Sequence, residues 1–285
     1  LTGTRRKTKG VAMNDEFYMQ LALNKAWQYQ GLTYPNPAVG AVVHLDGNIL
    51  AIEAHQKAGT SHAEVLALIK AYENLINTQV DFDYFDAKQA HDFLRSLPKN
   101  FFSACSIVVT LEPCSHEGKT PSCASLLQHL NLKEVIIGIS DPIEGHDQGA
   151  KFLNNVRLGV EEEACEALLE PFIIWQKRAF VLFKLAQTSN GRIGGGYLSS
   201  KTSLRSVHQL REVCDTLFIG GNTVRVDRPT LDCRFSKGQA PDVKIYSKED
   251  DFDRDIALFS VNNRKVDISD DLGFLEKPSF VLVEG

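Results

Sequence analysis

Three side chains in the first half of the chain have the types and order of a metal site. His62 opens the apolar, helix-patterned stretch HAEVLALIKAYENL (62–75), Cys114 follows Pro113 after the β-like run CSIVVTLE (105–112), and Cys123 comes nine positions later. One imidazole and two thiolates, with a fourth position left to water, are the donors of a catalytic zinc ion. Zinc brings the pKa of such a water toward neutrality and so supplies a nucleophile for hydrolysis. Glu64, two positions past His62, reads as a proton shuttle and not as a ligand. The competing reading makes His62 a helix cap and the two Cys part of a closed structural site. It lacks a fourth protein ligand and has no use for the Glu after the His or the Pro before the Cys. Helix N-termini at His62 and near a Cys would set positive dipole ends beside the thiolates. Cys105, Cys165, Cys214 and Cys233 stand singly in apolar or mixed stretches and read as buried free thiols.

These residues need a frame, and 285 residues favour two domains. A composition of 43% hydrophobic and 24% charged residues is that of a globular chain with a substantial core. The net charge of −5 argues against a nucleic-acid partner, because phosphate backbones are gripped by clustered Lys and Arg. No apolar run reaches membrane-spanning length, so no membrane partner is expected. The basic opening LTGTRRKTKG leads into no hydrophobic stretch and reads as upstream sequence ahead of Met13, not as a secretion signal. A cytoplasmic location is the expectation. Homo-oligomer formation is left open.

The elements alternate. A helix capped by Asn14 runs from Asp15 to about Gln30, the turn PNP (35–37) leads into a strand at 38–44, and Asp46-Gly47 makes a hairpin into ILAIEA. The helix at 62–75, the strand at 105–112, a helix at 121–130 and a strand at 134–139 complete an α/β domain whose ligands gather at strand ends. The acidic, aromatic segment 76–103 is too long for a plain loop and should carry its own helix. Glu161 to Lys177 reads as a helical connection broken by Pro171, and a second α/β unit starts near Phe180.

H-x-E followed by P-C and a further Cys is the signature of zinc deaminases. The stretch TLEPCSHEGKTPSC (110–123), with nine positions between its Cys residues, resembles the deaminase loop of the bifunctional riboflavin-biosynthesis deaminase/reductase family. NPAVGAVV (36–43), HQKAGTSHAE (55–64) and Asp141-Pro142 are similar to that family as well. The resemblance implies a cytidine-deaminase-like three-layer domain at 13–157, a connecting helical segment at 158–179 and a dihydrofolate-reductase-like α/β domain at 180–285. It implies zinc on His62, Cys114 and Cys123, Glu64 as the catalytic acid/base, and a small phosphorylated pyrimidine as substrate. The substrate would be a diaminopyrimidinone bearing a ribosylamino 5′-phosphate. Asn36 can offer a donor and an acceptor to a pyrimidine edge. His55 and Lys119 can offer cations or donors to the ribose phosphate, with Lys57 and His116 evenly balanced between that role and plain surface. A zinc deaminase of another heterocycle, with a degenerate second domain, is the alternative reading.

The second half continues the resemblance through FKLAQTSNGRI (183–193), SSKTSLRSVHQLR (199–211), GGNTVRVDRPTLDCR (220–234) and VLVEG (281–285). Carried over position by position, Ala186, Tyr197, Thr223 and Asp227 would lie against NADPH. Arg211, Leu231, Arg234 and Glu284 would contact substrate, the arginines toward its phosphate. Three departures stand out: Asn190 where the family has Asp before Gly191, Arg228 where it has a second Asp, and Gly285 as the last residue where it continues into a Gly-rich loop. The implied outcome is a chain that deaminates but reduces poorly.

Overall fold

In the computed structural model, residues 15–116, 118, 120–143, 148–193, 198–236 and 238–285 are described. The chain divides into two compact units, the first comprising residues up to Tyr29 and Ala38–Leu168, the second Gln30–Pro37 and Leu169–Gly285.

The first unit is a five-stranded sheet with helices on both faces. Its strands are β1 (Gly40–Leu45), β2 (Asn48–Ala54), β3 (Cys105–Leu111), β4 (Glu134–Ile139) and β5 (Val156–Leu158), in spatial order β2-β1-β3-β4-β5. β1 runs antiparallel to both neighbours, while β3, β4 and β5 are parallel. Asp46 and Gly47, both at positive φ, close the β1–β2 hairpin that the Asp-Gly pair predicted. β3 is buried along its whole length, as expected of a central strand covered on both faces.

Strand alternation divides the core into two layers. Ala41, Val43, Ile107, Val109, Val135 and Ile137 face one cluster with helices α2 (Ala63–Ile76), α3 (Ala87–Ser96) and α4 (Cys123–Leu130). Val42, Val108 and Ile136 face the other, with Tyr18, Met19 and Ala22 of α1 (Asp15–Trp27) and Cys165 and Leu168 of α5 (Glu162–Trp175). Close contact is built into this second layer: a Cβ on Gly40 would sit 2.0 Å from the Ala22 carbonyl oxygen. The segment 76–103 carries α3, whose N-cap Asp86 accepts from the Lys88 and Gln89 amides.

Pro171 does not break the connecting helix: α5 runs through it. Proline removes one intrahelical bond and strains the turn before it, but burial of side chains on both sides holds the helix together. Cys165, Leu168, Leu169 and Trp175 are all buried. The first helix ends at Trp27, three residues short of the expected Gln30, and passes into turns.

The second unit is a five-stranded, all-parallel sheet in the order β6-β10-β7-β8-β9, made by β6 (Ala179–Lys184), β7 (Thr216–Gly220), β8 (Asp242–Tyr246), β9 (Val266–Ser269) and β10 (Ser279–Glu284). Helices α6 (Lys201–Val213) and α7 (Gly221–Asp227) connect its strands. Leu217, Ile219, Val243 and Ile245 pack with Val224, Leu231 and Phe252, and Phe280 and Leu282 pack with Tyr34, Phe180 and Leu210. Tyr34 thus brings the segment Gln30–Pro37 into this unit. Its phenol donates to Asp215, and the Trp175 indole donates to the Pro35 carbonyl.

Candidate active site

The starts of α2 and α4 and the turn after β3 deliver the three ligand candidates. His62 is the N-cap of α2, and Cys123 is the first residue of α4, whose N-cap Ser122 accepts from the Ser125 amide. Cys114 lies three residues past the end of β3. His62, Cys114 and Cys123 form a group whose ligand atoms all lie within 4.8 Å of one another. His62 Nδ1 is 3.8 Å from Cys114 Sγ and 3.4 Å from Cys123 Sγ. Zinc–sulfur and zinc–nitrogen bonds of about 2.3 and 2.05 Å at a tetrahedral angle put N and S about 3.6 Å apart. The donor set and its spacing therefore fit zinc. The other ring nitrogen, Nε2, lies 3.1 Å from Thr120 Oγ1, to which its N–H can donate while Nδ1 faces the thiols.

The thiols share charge and protons. The Cys123 amide donates to Cys114 Sγ at 3.4 Å. The Cys123 thiol and the nearby His62 hold Cys114 down to about 4, while the same contact and burial push Cys123 up. A metal ion taken up by this thiolate and the imidazole would displace the proton that Cys123 keeps. Glu64, 4% exposed in the first turn of α2, has its carboxyl lifted above the ordinary carboxylate range by burial.

His55 stands edge-on to His62 with ring centroids 5.4 Å apart, and its Nδ1 lies 3.1 Å from the Ser61 carbonyl oxygen. Burial, reinforced by the neighbouring His62, holds it down to about 4. It is a neutral imidazole donating to the backbone, which leaves it the donor and not the cation of the two options the sequence offered. Lys57 and His116 are exposed. Asn36 lies on the segment that folds with the second unit, where its amide donates to Thr33 O and its carbonyl accepts from Thr33 Oγ1. Lys119 and Tyr197 lie outside the described residues.

In the second unit, Ala186 follows β6, Thr223 and Asp227 lie on α7 directly after β7, and Glu284 ends β10. Because β6, β10 and β7 are adjacent and parallel, Ala186, Glu284 and the start of α7 with Thr223 share the carboxyl edge of the sheet, where open α/β sheets bind ligands, while Asp227 ends α7. That arrangement fits a dinucleotide such as NADPH. Arg211 is not an open grip for phosphate: it pairs bidentately with Glu284 at 2.6 and 2.8 Å and donates to Asp232 O at 3.0 Å. Arg234, exposed, pairs with Asp232, and Leu231 holds a φ of 56° with its side chain in the core. Asn190 Oδ1 accepts from Thr188 Oγ1 at 2.6 Å, so the amide serves as the acceptor of this turn. Arg228, a left-handed helix C-cap, finds Asp253 as an ion-pair partner.

Sequence reasoning missed Thr120 and Glu112. The need of a ligating His for a partner on its second nitrogen is the signal for a residue such as Thr120. For Glu112, it is a carboxylate at the end of an otherwise apolar strand.

Residues 12–139 match the cytidine and deoxycytidylate deaminase zinc-binding region, and residues 179–270 match the RibD C-terminal domain. The riboflavin biosynthesis protein RibD of Aquifex aeolicus is 35% identical over 245 residues, covering 81% of this chain and 61% of that protein. RibD of a Synechocystis species is 34% identical over 233 residues, covering 77% of this chain and 55% of that protein. The chain therefore spans little more than half the length of these relatives. A crystal structure of a diaminohydroxyphosphoribosylaminopyrimidine deaminase/5-amino-6-(5-phosphoribosylamino)uracil reductase from Thermotoga maritima superposes with a TM-score of 0.65 at 28% identity, covering 95% of this chain and 80% of that one. With a cytidine-deaminase-like zinc domain joined to a dihydrofolate-reductase-like RibD C-terminal domain, the chain belongs to the RibD family.

Proposed function

We propose that this chain acts in riboflavin biosynthesis, removing an amine by hydrolysis from 2,5-diamino-6-(ribosylamino)pyrimidinone 5′-phosphate and reducing the ribosyl side chain to ribityl with NADPH. The observation that carries the reading is the convergence of His62, Cys114 and Cys123 at zinc-ligand spacing beside the buried Glu64. Zinc, when bound, supplies a Lewis acid that makes water a nucleophile at neutral pH. The remaining chemistry is the chain's own. His62, Cys114 and Cys123 hold the ion, and Thr120 fixes the His62 ring through Nε2. Glu64 takes one proton from the attacking water and gives it to the ring nitrogen, then takes the second from the hydroxyl so formed and gives it to the amine as the C–N bond breaks. Its raised pKa suits a group that must both accept and return a proton. Asn36 is assigned to the pyrimidine edge, and Lys119 and His55 to the sugar-phosphate side, His55 as a neutral ring.

For reduction, Ala186, Tyr197, Thr223 and Asp227 are assigned to NADPH, and Arg211, Leu231, Arg234 and Glu284 to the substrate. The bidentate pair gives Glu284 the further role of orienting Arg211. Incubating the zinc-loaded chain with the diaminopyrimidinone ribotide should release one ammonia per substrate. Absence of ammonia release from a folded, zinc-bound chain would refute the deaminase assignment. NADPH oxidation in the same mixture tests the second step.

A further inference from the structure

β3 and β4 run parallel and end side by side, and Glu112 is the first residue past β3. Its amide donates to Ile139 O at 2.9 Å, which extends the ladder by one residue. Its side chain is 5% exposed, and the carboxylate is used at both oxygens. Oε2 accepts from the Asp141 amide at 3.2 Å and Oε1 from the Ala150 amide at 2.7 Å. One carboxylate thus holds the backbone where the chain leaves β4 and where it returns toward β5. Gly149 lies against the next peptide: a Cβ there would come within 1.8 Å of the Pro113 carbonyl oxygen. Cys114, in turn, has its own carbonyl tied to α4, accepting from Ala124 N at 3.0 Å and Ser122 Oγ at 2.9 Å.

The two residues before Cys114 are therefore gripped by Asp141, Gly149 and Ala150, and the residue itself by the helix that carries Cys123. We infer that Glu112 is a positioning residue for the metal centre, fixing the Pro113–Cys114 turn so that Cys114 Sγ stands at ligand distance from His62. It acts through Cys114 and touches neither metal nor substrate. The inference rests on the zinc assignment made above. A carboxylate suits the role because it accepts at both oxygens, whereas a Gln of the same shape would present an amide N–H₂ to one of the two N–H donors.

The test uses the full chain and two variants, Glu112→Gln and Gly149→Ala, the second of which pushes on the Pro113 carbonyl at 1.8 Å and meets Glu112 Cγ only at an ordinary contact of 3.5 Å. Zinc affinity is read by chelator competition, and ligand geometry by the d–d and thiolate charge-transfer bands of the cobalt-substituted protein. Partners that orient a metal ligand contribute about 10–100-fold in metal affinity, and a loss of that size with shifted cobalt bands is expected in both variants. Wild-type affinity and wild-type cobalt spectra, with only thermal stability reduced, would overturn the inference and leave Glu112 a plain structural residue. If Glu112→Gln does not fold, Glu112→Asp, which keeps the carboxylate but shortens its reach to the Asp141 and Ala150 amides, carries the decision. A wild-type chain that binds no zinc would overturn both this inference and the metal assignment. Zinc binding without ammonia release would overturn the proposed reaction alone, and the affinity comparison would still decide the role of Glu112.

Discussion

Replacing Glu64 by Gln isolates the proton-transfer step. Glu64 is 4% exposed, and burial lifts its carboxyl above the ordinary range, so bulk water is poorly placed to substitute for it. Gln has the same shape but cannot take up or return a proton. General acid–base transfer contributes about 10²–10⁴-fold, which at about 1.36 kcal/mol per tenfold is about 2.7–5.4 kcal/mol of transition-state stabilisation. The site's enclosure argues for the upper part of that range. The three ligand candidates are untouched, so zinc content should stay at one per chain. Thermal stability should not fall, because the substitution removes a group whose ionised form is costly to bury. The assay is ammonia release from the ribotide under saturating substrate, with elemental analysis of the same preparation. A zinc-replete Glu64→Gln variant that releases ammonia at close to the wild-type rate would refute the shuttle.

Cys114→Ser and Cys123→Ser should each lose zinc and loosen the surrounding loops, since metal binding and local folding are coupled; full zinc in both variants by elemental analysis would exclude this ligand set. Lys119→Ala should raise KM for the phosphorylated substrate by about ten- to a hundredfold, the equivalent of one charge-assisted contact of about 1.5–3 kcal/mol, and affect the dephosphorylated form less. An equal effect on both substrates would remove the phosphate role. Tyr34→Phe should cost about 1–2 kcal/mol at neutral pH, because Asp215 loses its phenol donor while keeping the Phe280 amide. Burial, then the Asp215 carboxylate, raises the Tyr34 pKa above its ordinary 10.0. The stabilisation is therefore full below about pH 10 and lost as pH rises toward the folded-state value. Melting curves should show the gap between wild type and Tyr34→Phe closing above pH 10, and a gap that widens there would refute the linkage.

What could be read without coordinates was what short-range pattern encodes. The uninterrupted apolar run at β3, the Asp46-Gly47 turn and the H-x-E at a helix start each carry their meaning within a few residues. The proline in α5 misled because a local penalty was outweighed by burial of Cys165, Leu168, Leu169 and Trp175. For His55 the sequence left cation and neutral donor open. An exposed His would offer a charge to phosphate, but burial and the His62 ring beside it make the neutral form the stable one. Thr120 and Glu112 have meaning only through partners 58, 29 and 38 residues away, and no local pattern announces those contacts.

The long segment 76–103, between the H-x-E and the P-C, leaves the site intact. Tyr84 and Phe85 accept through their carbonyls from Ser61 Oγ and the Ser61 amide, at 2.7 and 3.0 Å, one residue before His62. Further along the segment, Arg95 donates to Ser125 Oγ at 2.7 Å, and its carbonyl lies 3.0 Å from His129 Nε2, both contacts on α4. The same segment thus braces the helix that starts after His62 and the helix that starts at Cys123. Its aromatic residues pack inward on the same cluster as these helices, with Phe93 and Phe101 against Tyr72 of α2 and Phe82 against Phe93. The extra length adds contacts behind the metal ligands, where it can stiffen their spacing, and inserts nothing between His62 and the two thiols it must meet.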